Sequence, residues 1–189
     1  MKATVKFAKV KEGATIPSKR YEDAGFDIYA CFDEDYIEIS PHETKLIPTG
    51  IASACDPDYC FVLFERGSTG SKGIARRCGI LDSGYRNEWF VALTNTTEHP
   101  LFISKLTKEE LMRKGKEDID EQHRLVLNKF FGKIEEKMWK DVIVYPYSKA
   151  IAQALVIPVP NTTVEEISYD ELKNIESERG MGALGSSNK

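Results

Sequence analysis

Between positions 4 and 64 the chain repeats one short pattern. Segments rich in β-branched and aromatic residues, at 4–7, 26–29, 36–39, 44–47, 51–54 and 60–64, are separated by Pro, Gly, Asp and Ser. Short strands recurring about every 8 to 12 residues, with turn signals between them, predict a β-sandwich or barrel. The pattern continues at 94–97 and 101–103 and resumes in Ala150-Ile151-Ala152-Gln153-Ala154-Leu155-Val156-Ile157. There Gln153 interrupts an apolar strand and needs a hydrogen-bond partner if buried.

One interval breaks the texture. From 107 to 141 the chain is charged and helix-prone, opening on Thr107-Lys108-Glu109-Glu110, the pattern of a capping box. A second helical run at 118–139 places Leu125, Val126, Phe130, Ile134 and Met138 near one face, with Gly132 as a weak point. The expected organisation is a β domain formed by 1–103 and 142–175, a helical insertion at 104–141, and a flexible tail at 176–189. The apolar face of the insertion is expected to pack on the parent domain, on a neighbouring subunit or on a protein partner. A chain of 189 residues can bury roughly 70% of its unfolded surface around one core.

Composition removes several function classes. A net charge of −4 offers no basic excess for nucleic-acid binding through bulk electrostatics. The first residues, Met1-Lys2-Ala3-Thr4-Val5-Lys6, contain no apolar run, and nothing approaches the roughly 18 apolar residues of a membrane span. The expectation is a soluble, cytoplasmic chain. Cys31, Cys55, Cys60 and Cys78 lack the close pairing of a tetrahedral zinc site. His42, His99 and His123 are widely separated and support no histidine relay or metal site. Any chemistry must run on carboxylates, backbone amides or a bound cation.

Four stretches concentrate such groups. Gly79-Ile80-Leu81-Asp82-Ser83-Gly84-Tyr85-Arg86-Asn87-Glu88 reads as a strand end and tight turn leading into Trp89-Phe90-Val91-Ala92-Leu93, a β-hairpin. Asp82 at its shoulder is solvated, bonded within the turn, or chemically employed. Glu65-Arg66-Gly67-Ser68-Thr69-Gly70-Ser71-Lys72 has amides, hydroxyls and an arginine fork suited to phosphate oxygens, without the lysine placement of a P-loop. Asp23-Ala24-Gly25-Phe26-Asp27 is a small-residue turn before a strand. The tail, Arg179-Gly180-Met181-Gly182-Ala183-Leu184-Gly185-Ser186-Ser187, has the composition of an anion-binding flap.

Taken in order, Ala24 to Asp27, Arg66 to Gly70 with Lys72, Gly79 to Glu88, Ile151-Ala152-Gln153, and Arg179-Gly180 with Gly185-Ser186-Ser187 make the chain resemble the trimeric dUTP pyrophosphatase (dUTPase) family over nearly all but the insertion. The resemblance implies a mainly β, jelly-roll-like sandwich and a homotrimer with active sites at subunit interfaces, closed by the C-terminal tail. It also implies hydrolysis of dUTP to dUMP and pyrophosphate with Mg2+. Asp82 matches the water-activating carboxylate, and Tyr85 the aromatic that lies against the deoxyribose. The backbone of Gly79, Ile80 and Leu81 corresponds to the part that reads the uracil edge. Arg66, Gly67, Ser68 and Gln153 fall at phosphate-binding positions, as do Arg179, Gly185, Ser186 and Ser187 in the tail. Asp27 matches an acid that supports the metal through water.

Three positions depart from the family pattern. Gly67 replaces the serine after the motif arginine, leaving Ser68 to take its contact. Ala150 replaces a basic residue, with Lys149 adjoining. Leu184 replaces the tail aromatic that stacks on uracil, so Trp89 or Phe90 is expected to supply that surface. Two other functions fit the same framework. A dCTP deaminase of this fold would need a glutamate where Ala92 stands. A nucleotide-binding regulator would act through the insertion.

Overall fold

The computed structural model describes residues 3–77, 79–117, 141–178 and 180, excluding the side chains of 115–117. The second helical run at 118–139 and the tail residues Arg179, Leu184, Gly185, Ser186 and Ser187 lie outside the described residues. The chain divides into two units, Met1–Val159 and Pro160–Lys189.

The first unit is a jelly-roll-like β-sandwich. In chain order its strands are β1 (Val5–Lys9), β2 (Phe26–Ile28), β3 (Tyr36–Ile39), β4 (Thr44–Pro48), β5 (Ile51–Cys55), β6 (Tyr59–Phe64), β7 (Ile74–Arg77), β8 (Ile80–Leu81), β9 (Phe90–Asn95), β10 (Leu101–Ser104), β11 (Ile143–Pro146) and β12 (Ala152–Pro158). One helical turn, α1 (Gly67–Gly70), follows β6, and α2 (Lys108–Glu117) follows β10. The sheets run β1-β5, β11-β10-β3, β2-β12-β6-β8 and β4-β9-β7.

Alternation decides which residues meet in the middle. Ala152 and Ala154 on β12, Phe61 and Leu63 on β6, and Val91 and Leu93 on β9 are buried in one core with Ile28, Ile39, Ile47 and Trp89. Small alanines on β12 leave room for the rings of Phe7, Phe61 and Trp89, whose centroids lie 4.9–5.7 Å apart. The buried polar Asn95 is satisfied: Nδ2 donates to the carbonyls of Ile39 and His99, at 3.0 and 2.7 Å, and Oδ1 accepts from Thr97.

The expected hairpin at 79–93 is not one. β8 pairs antiparallel with β6, whereas β9 pairs with β4 and β7, so the segment between them carries the chain from one sheet to another. A tight hairpin needs a central residue with positive φ, and Gly84 is not among the described positive-φ residues. The turn closes instead from the Tyr85 N–H to the Asp82 carbonyl, 3.1 Å.

β10 and β11 pair in parallel, Leu101 opposite Ile143, and the chain between them opens with α2. Its capping box forms as read: the Glu110 N–H donates to Thr107 Oγ1 (3.2 Å) and the Thr107 N–H to Glu110 Oε2 (2.8 Å). Leu111 packs with Phe102 and Val142 in a small second core. Among the described residues no helix is long and apolar enough to cross a membrane. In the second unit, α3 (Tyr169–Asn174) starts on a capping box between Ser168 and Glu171.

Candidate active site

Strand pairing brings three of the predicted residues together. On β12, Gln153 lies opposite Asp27 of β2 on one side and Phe64 of β6 on the other, two residues before Arg66. Gln153 Nε2 donates to the Glu65 carbonyl at 2.8 Å, which supplies the partner its polarity requires. Gly25 allows this: a Cβ there would meet Gln153 Oε1 at 3.0 Å and Leu155 Cδ1 at 3.2 Å. Arg66 closes on Asp27 as a fork, Nε to Oδ1 at 3.0 Å and Nη2 to Oδ2 at 3.2 Å.

Two grooves, of about 550 and 520 Å³, meet over this cluster and share Asp27, Arg66 and Gln153 in their linings. The first runs past Ser18, Lys19, Arg20 and Asp23; the second runs past Gly67, Ser68, Ser148 and Lys149. The glycine-rich loop folds into α1, whose Thr69 and Gly70 amides donate to the Arg66 carbonyl. No bond within this turn uses the amides of Gly67 and Ser68, so both can donate to an anion in the groove. Ser68 Oγ lies 3.4 Å from Tyr145 Oη.

Sequence reasoning missed three contributors here. Thr69 is buried; its Oγ1 donates to the Arg66 carbonyl and accepts from the Arg66 N–H, fixing the backbone that carries the fork. Tyr145 donates to the Ala150 carbonyl at 2.7 Å, bracing the wall of the second groove. The run Ser18-Lys19-Arg20 lines the first groove, held by the Arg20 guanidinium on Asp23, which pulls the Asp23 carboxyl below its ordinary value. The cations in that run were the available signal.

The second half of the predicted site sits elsewhere. Leu81 pairs with Phe61, five residues before Arg66, roughly 17 Å of extended chain. Because β8 runs antiparallel to β6, Asp82 points further away still. Asp82 is exposed, and its carboxylate makes no hydrogen bond or ion pair among the described residues. Its loop is otherwise tied down: Tyr85 Oη donates to the Glu88 carbonyl (3.0 Å), Arg86 Nη1 to the Ser53 and Ser83 carbonyls, and the Gly50 N–H to Glu88 Oε1 (2.8 Å). Gly79 is needed for close approach, since a side chain there would press on the Arg76 guanidinium and the Leu63 carbonyl. Ile80 is 72% exposed and Leu81 half-buried.

The stacking expectation divides. Trp89 is 0% exposed, edge-on to Phe61 and Phe7, and is a core residue with no face for a base. Phe90, one step along β9 and therefore on the opposite face, is 43% exposed.

A family model described as dUTPase matches residues 11–108. The deoxyuridine 5'-triphosphate nucleotidohydrolase of Neisseria meningitidis serogroup A is 38% identical over 84 residues, covering 42% of this chain and 55% of that protein. The chain thus spans little more than half the length of that curated relative. The enzyme of the same name from Actinobacillus succinogenes is 35% identical over 109 residues, 54% of this chain and 72% of that one. Among solved structures, a variant of the Staphylococcus bacteriophage 80alpha dUTPase with dUpNHpp superposes with a TM-score of 0.65 at 16% identity, covering 98% of this chain and 99% of that one. The fold is that of a jelly-roll-like β-sandwich. The chain belongs to the dUTPase family.

Proposed function

We propose that the protein hydrolyses dUTP to dUMP and pyrophosphate, working as a homotrimer in which the Asp82–Tyr85 loop of one copy faces the Asp27, Arg66 and Gln153 grooves of another. The observation that carries the reading is Asp82: an exposed carboxylate, unpaired among the described residues, on a loop in which Ser83, Tyr85, Arg86 and Glu88 are held by hydrogen bonds. In this role Asp82 orients a water against the α-phosphorus and takes its proton while the bond to the bridging oxygen breaks and pyrophosphate leaves. General-base help of this kind contributes about 10²- to 10⁴-fold. The Tyr85 ring, braced through its hydroxyl, lies against the deoxyribose and leaves no space for a 2′-hydroxyl. The backbone of Gly79 to Leu81 meets the uracil edge with the groups that its pairing to β6 leaves free. Arg66, the amides of Gly67 and Ser68, and Gln153 hold the phosphates, with Arg179, Gly185, Ser186 and Ser187 joining them from the tail.

The described residues contain no cluster of three or more His, Cys, Asp or Glu that could cage a metal. One carboxylate beside a phosphate groove does suit Mg2+, which keeps several waters and leans on substrate phosphates. Asp27 would hold it through water, and the ion would neutralise charge on the triphosphate. Ala92, buried in β9 where a deaminase of this fold needs its glutamate, favours hydrolysis over deamination.

The test is pyrophosphate release from dUTP, dCTP, dTTP and UTP with Mg2+, for the wild type and Asp82→Asn. Release from dUTP alone, lost in the variant, is the expected result. A wild type that binds dUTP without cleaving it would instead make the protein a nucleotide-responsive binding module.

A further inference from the structure

The loop from Asp82 to Glu88 is held at two separate points. Near its start, Arg86 Nη1 donates to the Ser83 carbonyl within the loop and to the Ser53 carbonyl of β5. Its end is stapled to Thr49 and Gly50, the two residues that join β4 to β5. Thr49 Oγ1 and the Thr49 N–H both donate to the Trp89 carbonyl, at 2.7 and 3.2 Å, and the Gly50 N–H donates to Glu88 Oε1 at 2.8 Å. Gly50 is itself a fixed point. Its φ is +66°, a Cβ there would meet Ala14 Cβ at 2.8 Å and Cys31 Sγ at 2.9 Å, and its carbonyl accepts from the N–H groups of Val10 and Lys11. Glu88 takes that anchored amide with its side chain and, with its backbone carbonyl, accepts the Tyr85 hydroxyl at 3.0 Å.

The Tyr85 ring is 36% exposed, and among the described residues its side chain has no hydrogen bond besides the one to Glu88 and no aromatic or cation–π partner. A ring that excludes a hydroxyl by contact does so only while it cannot retreat, since an apolar wall by itself rejects an added hydroxyl by no more than about 10²-fold. A shift of about 0.5 Å is enough to spoil such a fit. From this geometry we infer that Glu88 is a specificity-determining positioning residue: its carbonyl holds the Tyr85 ring at the sugar, and its carboxylate ties that carbonyl to the fixed Gly50. This inference rests on the dUTP reading above and extends it to the residue that sets the choice of sugar. Arg86 secures the start of the loop separately, so loosening Glu88 frees the ring before it frees Asp82. The competing role, in which Glu88 only stabilises the link between β4 and β5, implies equal losses on every nucleotide.

Steady-state kinetics on the full chain with Mg2+ decide between them, comparing kcat/KM for dUTP and UTP in wild type, Glu88→Ala, Glu88→Gln, Tyr85→Phe and the double variant of Glu88→Ala with Tyr85→Phe. Wild type is expected to prefer dUTP. Glu88→Ala should lower the ratio of dUTP to UTP about 10-fold, the scale of one hydrogen bond to a charged acceptor. Tyr85→Phe should lower it by a similar factor, and the double variant no further, because both changes cut one tether. Glu88→Gln, whose side-chain carbonyl still accepts from Gly50, should keep most of the preference. Equal losses on dUTP and UTP in Glu88→Ala overturn the proposal, as do effects that multiply in the double variant or a wild type that cleaves both nucleotides equally. Tyr85→Phe leaves the link between β4 and β5 intact and tests the tether even if Glu88→Ala unfolds; an unchanged ratio there overturns it. A readout without turnover separates the proposal from the dUTP reading. With ring-13C-labelled tyrosine, the Tyr85 signal, identified by its loss in Tyr85→Phe, should hold its position in Glu88→Gln and move to that of an unrestrained tyrosine in Glu88→Ala. That movement in a protein that cleaves neither nucleotide would sustain the hold of Glu88 on the ring and overturn dUTP as the substrate. An unmoved signal overturns the hold itself.

Discussion

Trp89 shows how a side chain with two faces is settled by its surroundings. It is fully buried, and its Nε1 has no hydrogen-bond partner among the described residues. An unpaired buried donor costs about 1–3 kcal/mol, which offsets the volume lost on shortening the ring. Trp89→Phe should therefore change unfolding free energy by no more than about 1 kcal/mol, whereas Phe61→Ala in the same cluster should lose about 3–5 kcal/mol; urea denaturation compares them. Phe90→Ala, removing an exposed ring, should leave stability alone and raise KM for dUTP several-fold. An unchanged KM would remove Phe90 from the base site. Asp23 carries a pH dependence. The hydrogen bond from Arg20 is the main cause of its lowered value, so the folded state holds the proton less tightly than the unfolded chain. The contribution is present above the ordinary value of 3.8 and is lost as pH falls through the lower folded value. Amide protection at 18–25, corrected for the intrinsic exchange rate, should fall selectively on acidification through that window.

Among the elements, α2 was legible and the 79–93 segment was not, for one reason. A capping box is a local exchange of hydrogen bonds over four residues, so Thr107 and Glu110 suffice to announce it. Removing the cap by Thr107→Ala should cost about 1 kcal/mol and fray the start of α2, read as faster amide exchange at Lys108 to Glu110. Strand partnership is non-local. Nothing in Gly79 to Leu93 says that β8 will pair with Val62 and Phe61 while β9 pairs with β4 and β7. Adjacency in sequence suggested a hairpin; Trp89, drawn into the core with its N–H on the Ile51 carbonyl, sends the two strands to different sheets.

At the scale of the molecule, the candidate site is split within one chain. Asp82 and Tyr85 lie at one end of the β6–β8 pair, and Arg66, Asp27 and Gln153 gather beyond the other. If copies share each site, two defective chains can repair one another. Asp82→Asn and Arg66→Ala, each inactive alone, should recover about a quarter of wild-type dUTPase activity per site when co-refolded at equal amounts, because one random pairing in four joins two intact halves. No recovery, with mixed oligomers confirmed by mass, would place the whole site in one subunit.

The sequence by itself determined the β class and the cap of α2, because these depend on alternation and on turn chemistry that act over a few positions. Only the tertiary structure decided that Trp89 is core and Phe90 surface, that Thr69, Tyr145 and the 18–23 run shape the grooves, and that Arg66 rests on Asp27. Each depends on which strands lie side by side. Pairings across long stretches of chain, such as Gln153 with both Asp27 and Phe64, are set by packing of the whole core rather than by any local signal.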